Sequence, residues 1–281
     1  MKNSVFKTEA GRDKVRAYYN QVLSMFPFGQ RYVETAFGKT FMLTAGQEAN
    51  PPIVLLHGSC SNSAFWFPEI MALSSHFRVY AVDIIGEAGN SEEYRPDLSS
   101  DAFALWMKDV LDALGLERTV FMGNSLGGWM ALKFAAAYPE RVSSLILIAS
   151  SGFAQIRPQF LLNVGKARQA DGSVPVNPDI IGEKSIPKEV LEFMNLIVEN
   201  YNPIQDLPVF TDEQLQRLAM PVLFVAGEED VIIDAPGSAQ RLARLVPSAE
   251  IHLLPNCGHL VTNSIEYIIP FLTRARPSFE K

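Results

Sequence analysis

Cysteine is scarce: Cys60 and Cys257 are the only two in a chain of 281 residues. Two thiols cannot build a disulfide framework or a metal knot, and a chain of this length buries enough apolar surface to fold without either. Both are expected to remain thiols. Positive charge is also in deficit, with 24 Lys and Arg against 31 Asp and Glu and a formal net charge of -7. A surface of that sign repels phosphate backbones and anionic headgroups, so neither nucleic acid nor a membrane is expected as a partner. No apolar run is long enough to span a bilayer, and the charged stretch Met1 to Asn20 holds no apolar core of signal-peptide length. A cytoplasmic location follows as an expectation. Internal repeats and low-complexity tracts are missing too. What remains is an ordinary globular composition, 48% hydrophobic and 20% charged, with length for one large domain or two small ones. A monomer or homodimer is expected.

The periodicity divides the chain into three parts. Val15, Tyr18, Tyr19, Val22, Leu23 and Phe26 recur at helical spacing, which predicts an amphipathic helix over residues 9–25 within an N-terminal extension, 1–30. Tyr32 to Thr35 and Thr40 to Ala45 flank Gly38-Lys39 as a hairpin. From Pro51-Pro52 onward, short apolar strands alternate with helices: strands at 53–56, 78–83, 120–122 and 142–149, helices at 65–73, 101–114 and 126–138. That rhythm predicts a mostly parallel sheet flanked by helices, an α/β class. It breaks between Gly152 and Met220, a segment rich in Pro and Asn with helical patches at 160–168 and 188–200. Strand 222–226, helix 238–245, strand 250–254 and helix 265–273 then resume the pattern. The expected division is a core of 1–151 with 221–281 and an insertion of 152–220.

Chemistry concentrates at Gly123-Asn124-Ser125-Leu126-Gly127. The apolar run Thr119 to Met122 precedes it and an Ala-rich helical stretch follows, so Ser125 falls on a strand-to-helix turn, the setting of a G-x-S-x-G nucleophile elbow. The glycines let strand and helix approach closely around a strained serine. At the helix N-terminus, free N–H groups favour a developing oxyanion.

A serine nucleophile needs a base, and the base needs a carboxylate. Of four histidines, His57 closes a strand, His76 precedes one and His252 sits inside one. His259 alone lies in a loop past the last core strand, where parallel sheets keep their sites. Glu228, Glu229, Asp230 and Asp234 all follow strand 222–226. Asp230 is favoured, since it lies far enough past the strand end to turn back across the sheet edge, while Asp234 before Ala235-Pro236 suits a helix cap. An oxyanion hole requires two backbone N–H groups, for which Leu126 and the loop His57-Gly58-Ser59-Cys60, through Ser59, are the candidates. His57 is expected to anchor that loop by hydrogen bonds.

The His57-Gly58 loop with Trp66 downstream, Asp83 with Gly86, Gly89 and Ser91, the turn at Ser125, and Gly227 to Asp230 ahead of Gly258-His259 stand in an order that resembles the serine hydrolases of the α/β-hydrolase fold. The resemblance covers nearly all of residues 51–281. It implies that fold, with 152–220 as a helical cap inserted after the sixth core strand, and it matches Asp230 to the family's acid. It implies no cofactor or metal, and a small-molecule ester as substrate, cleaved by Ser125, His259 and Asp230. Trp66, Phe153, Phe160, Met194 and Leu260 are expected to line the pocket. A C–C bond hydrolase, a thioesterase, a cofactor-free haloperoxidase and a non-catalytic ligand receptor share the same frame. One departure stands out: Asp83-Ile-Ile-Gly86-Glu-Ala-Gly89-Asn-Ser91 has one residue more between its glycines than the family pattern, so that loop is expected to be reshaped.

Overall fold

A computed structural model describes residues 4–158, 160, 178–181, 186–204 and 206–275. Among them, eight strands form one sheet in the order β1-β2-β4-β3-β5-β6-β7-β8. The hairpin of β1 (Gly29–Thr35) and β2 (Gly38–Ala45) pairs antiparallel from Gly29 opposite Thr44 to Thr35 opposite Gly38, three residues longer at its start than the side-chain pattern predicts. Gly29 to Arg31 are exposed and join through their backbone, which leaves no periodic signal. β2 runs antiparallel to β4 (Arg78–Val82). From there the sheet is parallel: β4 beside β3 (Pro52–Leu56), then β5 (Thr119–Asn124), β6 (Val142–Ile148), β7 (Val222–Gly227) and β8 (Glu250–Leu254). Every residue of β6 and β7 is buried, which is why both read as continuous apolar runs.

The helices carry the expected signals. α1 (Glu9–Ser24) is capped by Thr8, whose hydroxyl accepts from the Gly11 amide at 3.0 Å, and buries Val15, Tyr19 and Leu23 along one stripe. α2 (Phe67–Leu73) follows a 3-10 turn at Ser63–Trp66. α3 (Ala102–Leu114) stops at Gly115 in the left-handed region (φ 70°), where glycine escapes the Cβ penalty. α4 (Leu126–Ala137) packs against β3, β5 and β6, and buries nearly every residue, so its sequence is apolar all round.

Between β6 and β7 lie α5 (Pro178–Ile181), α6 (Lys188–Asn200) and α7 (Asp212–Gln216). The helix expected over 160–168 falls, beyond Phe160, outside the described residues, as do Pro175 and Asn177. α7 falls where no helical periodicity predicts one; Thr211 and Gln214 form a reciprocal capping box that holds this five-residue helix. Phe193 of α6 stacks on Phe65 at 5.3 Å and meets Tyr18 of α1 at 4.9 Å. The N-terminal segment clasps the end of α6: Phe6 bridges to Tyr201, and the Lys7 amide donates to the Asn200 carbonyl at 2.8 Å. α8 (Ala235–Leu245) and α9 (Ile265–Ala275) complete the covering around β7 and β8. No helix among the described residues is long and apolar enough to cross a membrane.

Candidate active site

Strand order reverses at β3, whose successors go to opposite sides, and the loops after β3, β5, β7 and β8 all leave the same carboxyl edge of the sheet. Such a switch point opens a crevice in an open parallel sheet. Ser125 stands at its centre, between β5 and α4, with φ 51° and ψ -108°. That backbone conformation is costly for a residue with a Cβ, and it persists because its surroundings over-determine it. The Ser125 amide donates to the Ile148 carbonyl at 2.9 Å, and its own carbonyl accepts from Trp129 at 3.1 Å and Ser151 at 3.3 Å. A Cβ on Gly123 would overlap the Gly127 backbone, and one on Gly127 would overlap the Leu56 carbonyl. The glycine spacing read from the sequence thus has a steric cause.

His259 and Asp230 are delivered by two loops that cross in backbone contact. A Cβ on Gly227 would overlap the carbonyls of Cys257 and Gly258, and the Glu229 amide donates to the Cys257 carbonyl at 3.0 Å. This crossing sets His259 Nδ1 2.7 Å from Asp230 Oδ2 and His259 Nε2 3.0 Å from Ser125 Oγ. Asp230 is 2% exposed, and its other oxygen accepts the amides of Ile232 and Ile233 at 2.8 and 3.0 Å. A carboxylate held so by amides offers only acceptors, so Nδ1 of His259 carries the proton and Nε2 is left as acceptor for the Ser125 hydroxyl. The arrangement can take a proton from Ser125 and hold the resulting imidazolium against a buried charge.

The competing side chains are engaged elsewhere. Asp234 caps α8 through the Gly237 amide at 3.3 Å and pairs with Arg157 at 3.5 Å, while Glu228 and Glu229 are exposed. His252 pairs with Glu250 at 2.8 Å, and His76 is exposed. His57 is buried: its Nε2 accepts the Ile84 amide at 3.0 Å, so Nδ1 donates to the Gly58 carbonyl at 2.8 Å. Burial holds its pKa below the ordinary histidine value, so the ring is neutral and structural.

The loop that His57 anchors approaches the serine. A Cβ on Gly58 would lie 3.6 Å from the Ser125 Cβ, and Ser61 Oγ donates to the Gly58 carbonyl at 2.9 Å. Among the described residues, no hydrogen-bond acceptor takes the Ser59 or Leu126 amide. Leu126 opens α4, where an amide has no intrahelical partner. Of the residues expected around a pocket, Leu260 follows His259 and its amide donates to the Ile180 carbonyl of α5 at 3.0 Å. Met194 is half-buried on α6, Phe160 is half-buried, Trp66 is buried beside α2, and Phe153 stands edge-on against Phe224 of β7 at 5.6 Å.

The buried partners of two carboxyl groups after β4 are not legible in the sequence. Asp83, which marks the strand-end motif, is fully buried and accepts the Tyr19 hydroxyl at 2.9 Å and the amides of Ser63 and Asn90, each at 2.8 Å. Glu87, in the lengthened loop, is buried and accepts the Tyr201 hydroxyl. Apart from Asn90, their partners lie 20 to 114 residues away in sequence, so no local pattern announces them.

A family model for the α/β hydrolase fold matches residues 51–181. The uncharacterized carboxylesterase nap of Bacillus subtilis is 33% identical over 268 residues, which span 90% of this chain and 89% of that protein. Carboxylesterase YbfK of the same organism is 34% identical over 256 residues, 87% of this chain and 86% of its own. The crystal structure of B. subtilis carboxylesterase CesB (YbfK) superposes with a TM-score of 0.83 at 32% identity, over 96% of this chain and 98% of that one. With likeness of this extent in both sequence and architecture, the chain belongs to the α/β hydrolase fold family and is an enzyme of the hydrolase class.

Proposed function

We propose that the protein is a serine carboxylesterase that cleaves a small carboxylic ester through an acyl-enzyme. The observation that carries this reading is the hydrogen-bonded line from Ser125 Oγ through His259 to Asp230, at 3.0 and 2.7 Å. Ser125 attacks the ester carbonyl as His259 Nε2 takes its proton, and Asp230 stabilises the imidazolium. The Ser59 and Leu126 amides hold the oxyanion, His259 returns the proton to the departing alcohol, and water then releases the acid by the same steps. The carboxylesterase names of the B. subtilis relatives support an ester over other acyl substrates. Residues 152–220 act as the cap, with Trp66, Phe153, Phe160, Met194 and Leu260 lining the pocket. A cytoplasmic monomer or homodimer acting on a small molecule, with no nucleic-acid or membrane partner, fits the net charge of -7.

Fluorophosphonate labelling followed by peptide mass mapping tests the nucleophile. The adduct is expected on Ser125, and neither labelling nor hydrolysis of p-nitrophenyl butyrate should survive Ser125→Ala. Turnover that persists in a folded Ser125→Ala enzyme overturns the reading.

A further inference from the structure

The loop after β4 buries a carboxyl group, that of Glu87, beside the loop after β3. Glu87 is 1% exposed, and Oε1 accepts the Tyr201 hydroxyl while Oε2 has no hydrogen-bond partner. The Cys60 amide is near enough to favour charge on the carboxyl, without a hydrogen bond of ordinary geometry between them. Cys60 adopts φ 57°, a left-handed conformation that a residue with a Cβ keeps only when its neighbours hold it. It directly follows Ser59, whose amide faces the reacting carbonyl in the esterase reading. Asn62 Nδ2 donates to the Ala88 carbonyl at 3.1 Å, which ties the loop after β3 to the loop after β4.

We propose that Glu87 is a positioning residue of the oxyanion loop: its carboxyl braces the strained Cys60 peptide against Tyr201, and its ionisation opposes charge on the adjacent oxyanion. The inference rests on the assignment of Ser59 to the oxyanion hole. The groups facing the carboxyl come from three elements: Tyr201 at the end of α6, Cys60 after β3, and Arg95 after β4, whose guanidinium stacks on the Tyr201 ring at 5.3 Å and donates to the Gly86 and Asn202 carbonyls. Lys7, which donates to the Val198 and Glu199 carbonyls, acts on the same cluster through Cys60. Burial outweighs the Tyr201 hydrogen bond and the Arg95 charge and pushes the Glu87 carboxyl up to about 8. At neutral pH the brace is therefore uncharged, and the loop amides meet the oxyanion without a competing anion. Above that pH a buried negative charge sits behind the loop. Oxyanion stabilisation acts in the transition state alone, so the penalty falls on kcat and not on KM.

The test is the pH dependence of kcat and KM for p-nitrophenyl butyrate from pH 6 to 10, read at the isosbestic wavelength of the product. The wild type is expected to lose roughly tenfold in kcat above a midpoint near 8, a partial loss on the scale of a weakened oxyanion donor, with KM level. Glu87→Gln should erase this alkaline limb. Tyr201→Phe removes a hydrogen bond that favours the ionised carboxyl, so it should move the limb to higher pH, and it serves as the test if Glu87→Gln does not fold. A purely structural brace would leave the midpoint where it is. The proposal is overturned if the wild type shows no alkaline limb, if the limb survives unchanged in Glu87→Gln, or if Tyr201→Phe leaves its midpoint in place or shifts it downward. Hydrolysis that survives Ser125→Ala overturns the esterase reading itself, whereas Ser125-dependent turnover with an unaltered limb overturns the role of Glu87 alone.

Discussion

The Cα of Gly127 rests against the carbonyl of Leu56, so that α4 begins in direct backbone contact with the end of β3. Neither partner is a side-chain tip that can swing away. Gly127→Ala is therefore expected to shift the α4 N-terminus, lowering stability by about 2 kcal/mol, as overpacking does. It should also cut kcat, because Ser125 and the Leu126 amide move with the turn. Urea unfolding and steady-state kinetics on the same sample check this; a stable and fully active Gly127→Ala would mean that the turn yields.

Asp230→Asn replaces an acceptor with an amide donor on the side facing Nδ1, while the amide oxygen still receives Ile232 and Ile233. His259 would then take the other tautomer and lose its acceptor toward Ser125. A drop in kcat of roughly 10³ to 10⁴ is expected, as in other Ser-His-Asp enzymes. Asp234→Asn, at the α8 cap, should keep kcat and cost on the order of 1 kcal/mol at most. A near-normal kcat in the first with a collapsed kcat in the second would reverse the assignment.

Two buried carboxyls tie stability to pH. Burial pushes Glu69 up to about 7 and Glu87 up to about 8, whereas in the unfolded chain both ionise near the ordinary glutamate value. Between the unfolded and folded values the native state holds more protons than the unfolded one. Their stabilising contribution is thus complete below the unfolded value and is lost as pH rises through about 7 for Glu69 and about 8 for Glu87. Urea titrations at pH 5 and pH 8.5 should differ by a few kcal/mol in favour of pH 5. Glu69→Gln and Glu87→Gln should each flatten the slope, and an unchanged slope in both would assign the pH dependence to other groups.

Phe193 and Met194 adjoin on α6 but are expected to answer differently. Phe193 is buried against Phe65 and Tyr18, so Phe193→Ala should cost about 3 kcal/mol or more in stability. Met194 is half-buried, and Met194→Ala should alter the preference among p-nitrophenyl esters of different acyl length at little cost in stability. Unfolding curves together with kcat/KM across an acetate to octanoate series separate the two, and an unchanged preference in Met194→Ala would make it a packing residue.

The sequence by itself determined what depends on near neighbours. The alternation of apolar runs announced the parallel strands because β6 and β7 are buried throughout. The glycines around Ser125 announced the turn because the close packing there leaves no room for a Cβ at positions 123, 127 and 128. The order Ser125, Asp230, His259 placed the triad candidates after three strands of one sheet, β5, β7 and β8. Local signals went no further. The backbone-paired start of β1 carries no side-chain period, and α7 is too short for one. Which of the acidic side chains lies beside His259 depends on the crossing of two loops at Gly227 and Cys257, which sets Asp230 Oδ2 2.7 Å from His259 Nδ1. The meeting of Glu87 with Tyr201 spans 114 residues. Such contacts arise when packing brings separate elements together, and burial, which turns an ordinary glutamate into a neutral carboxyl, is a property of the folded surroundings and not of the residue.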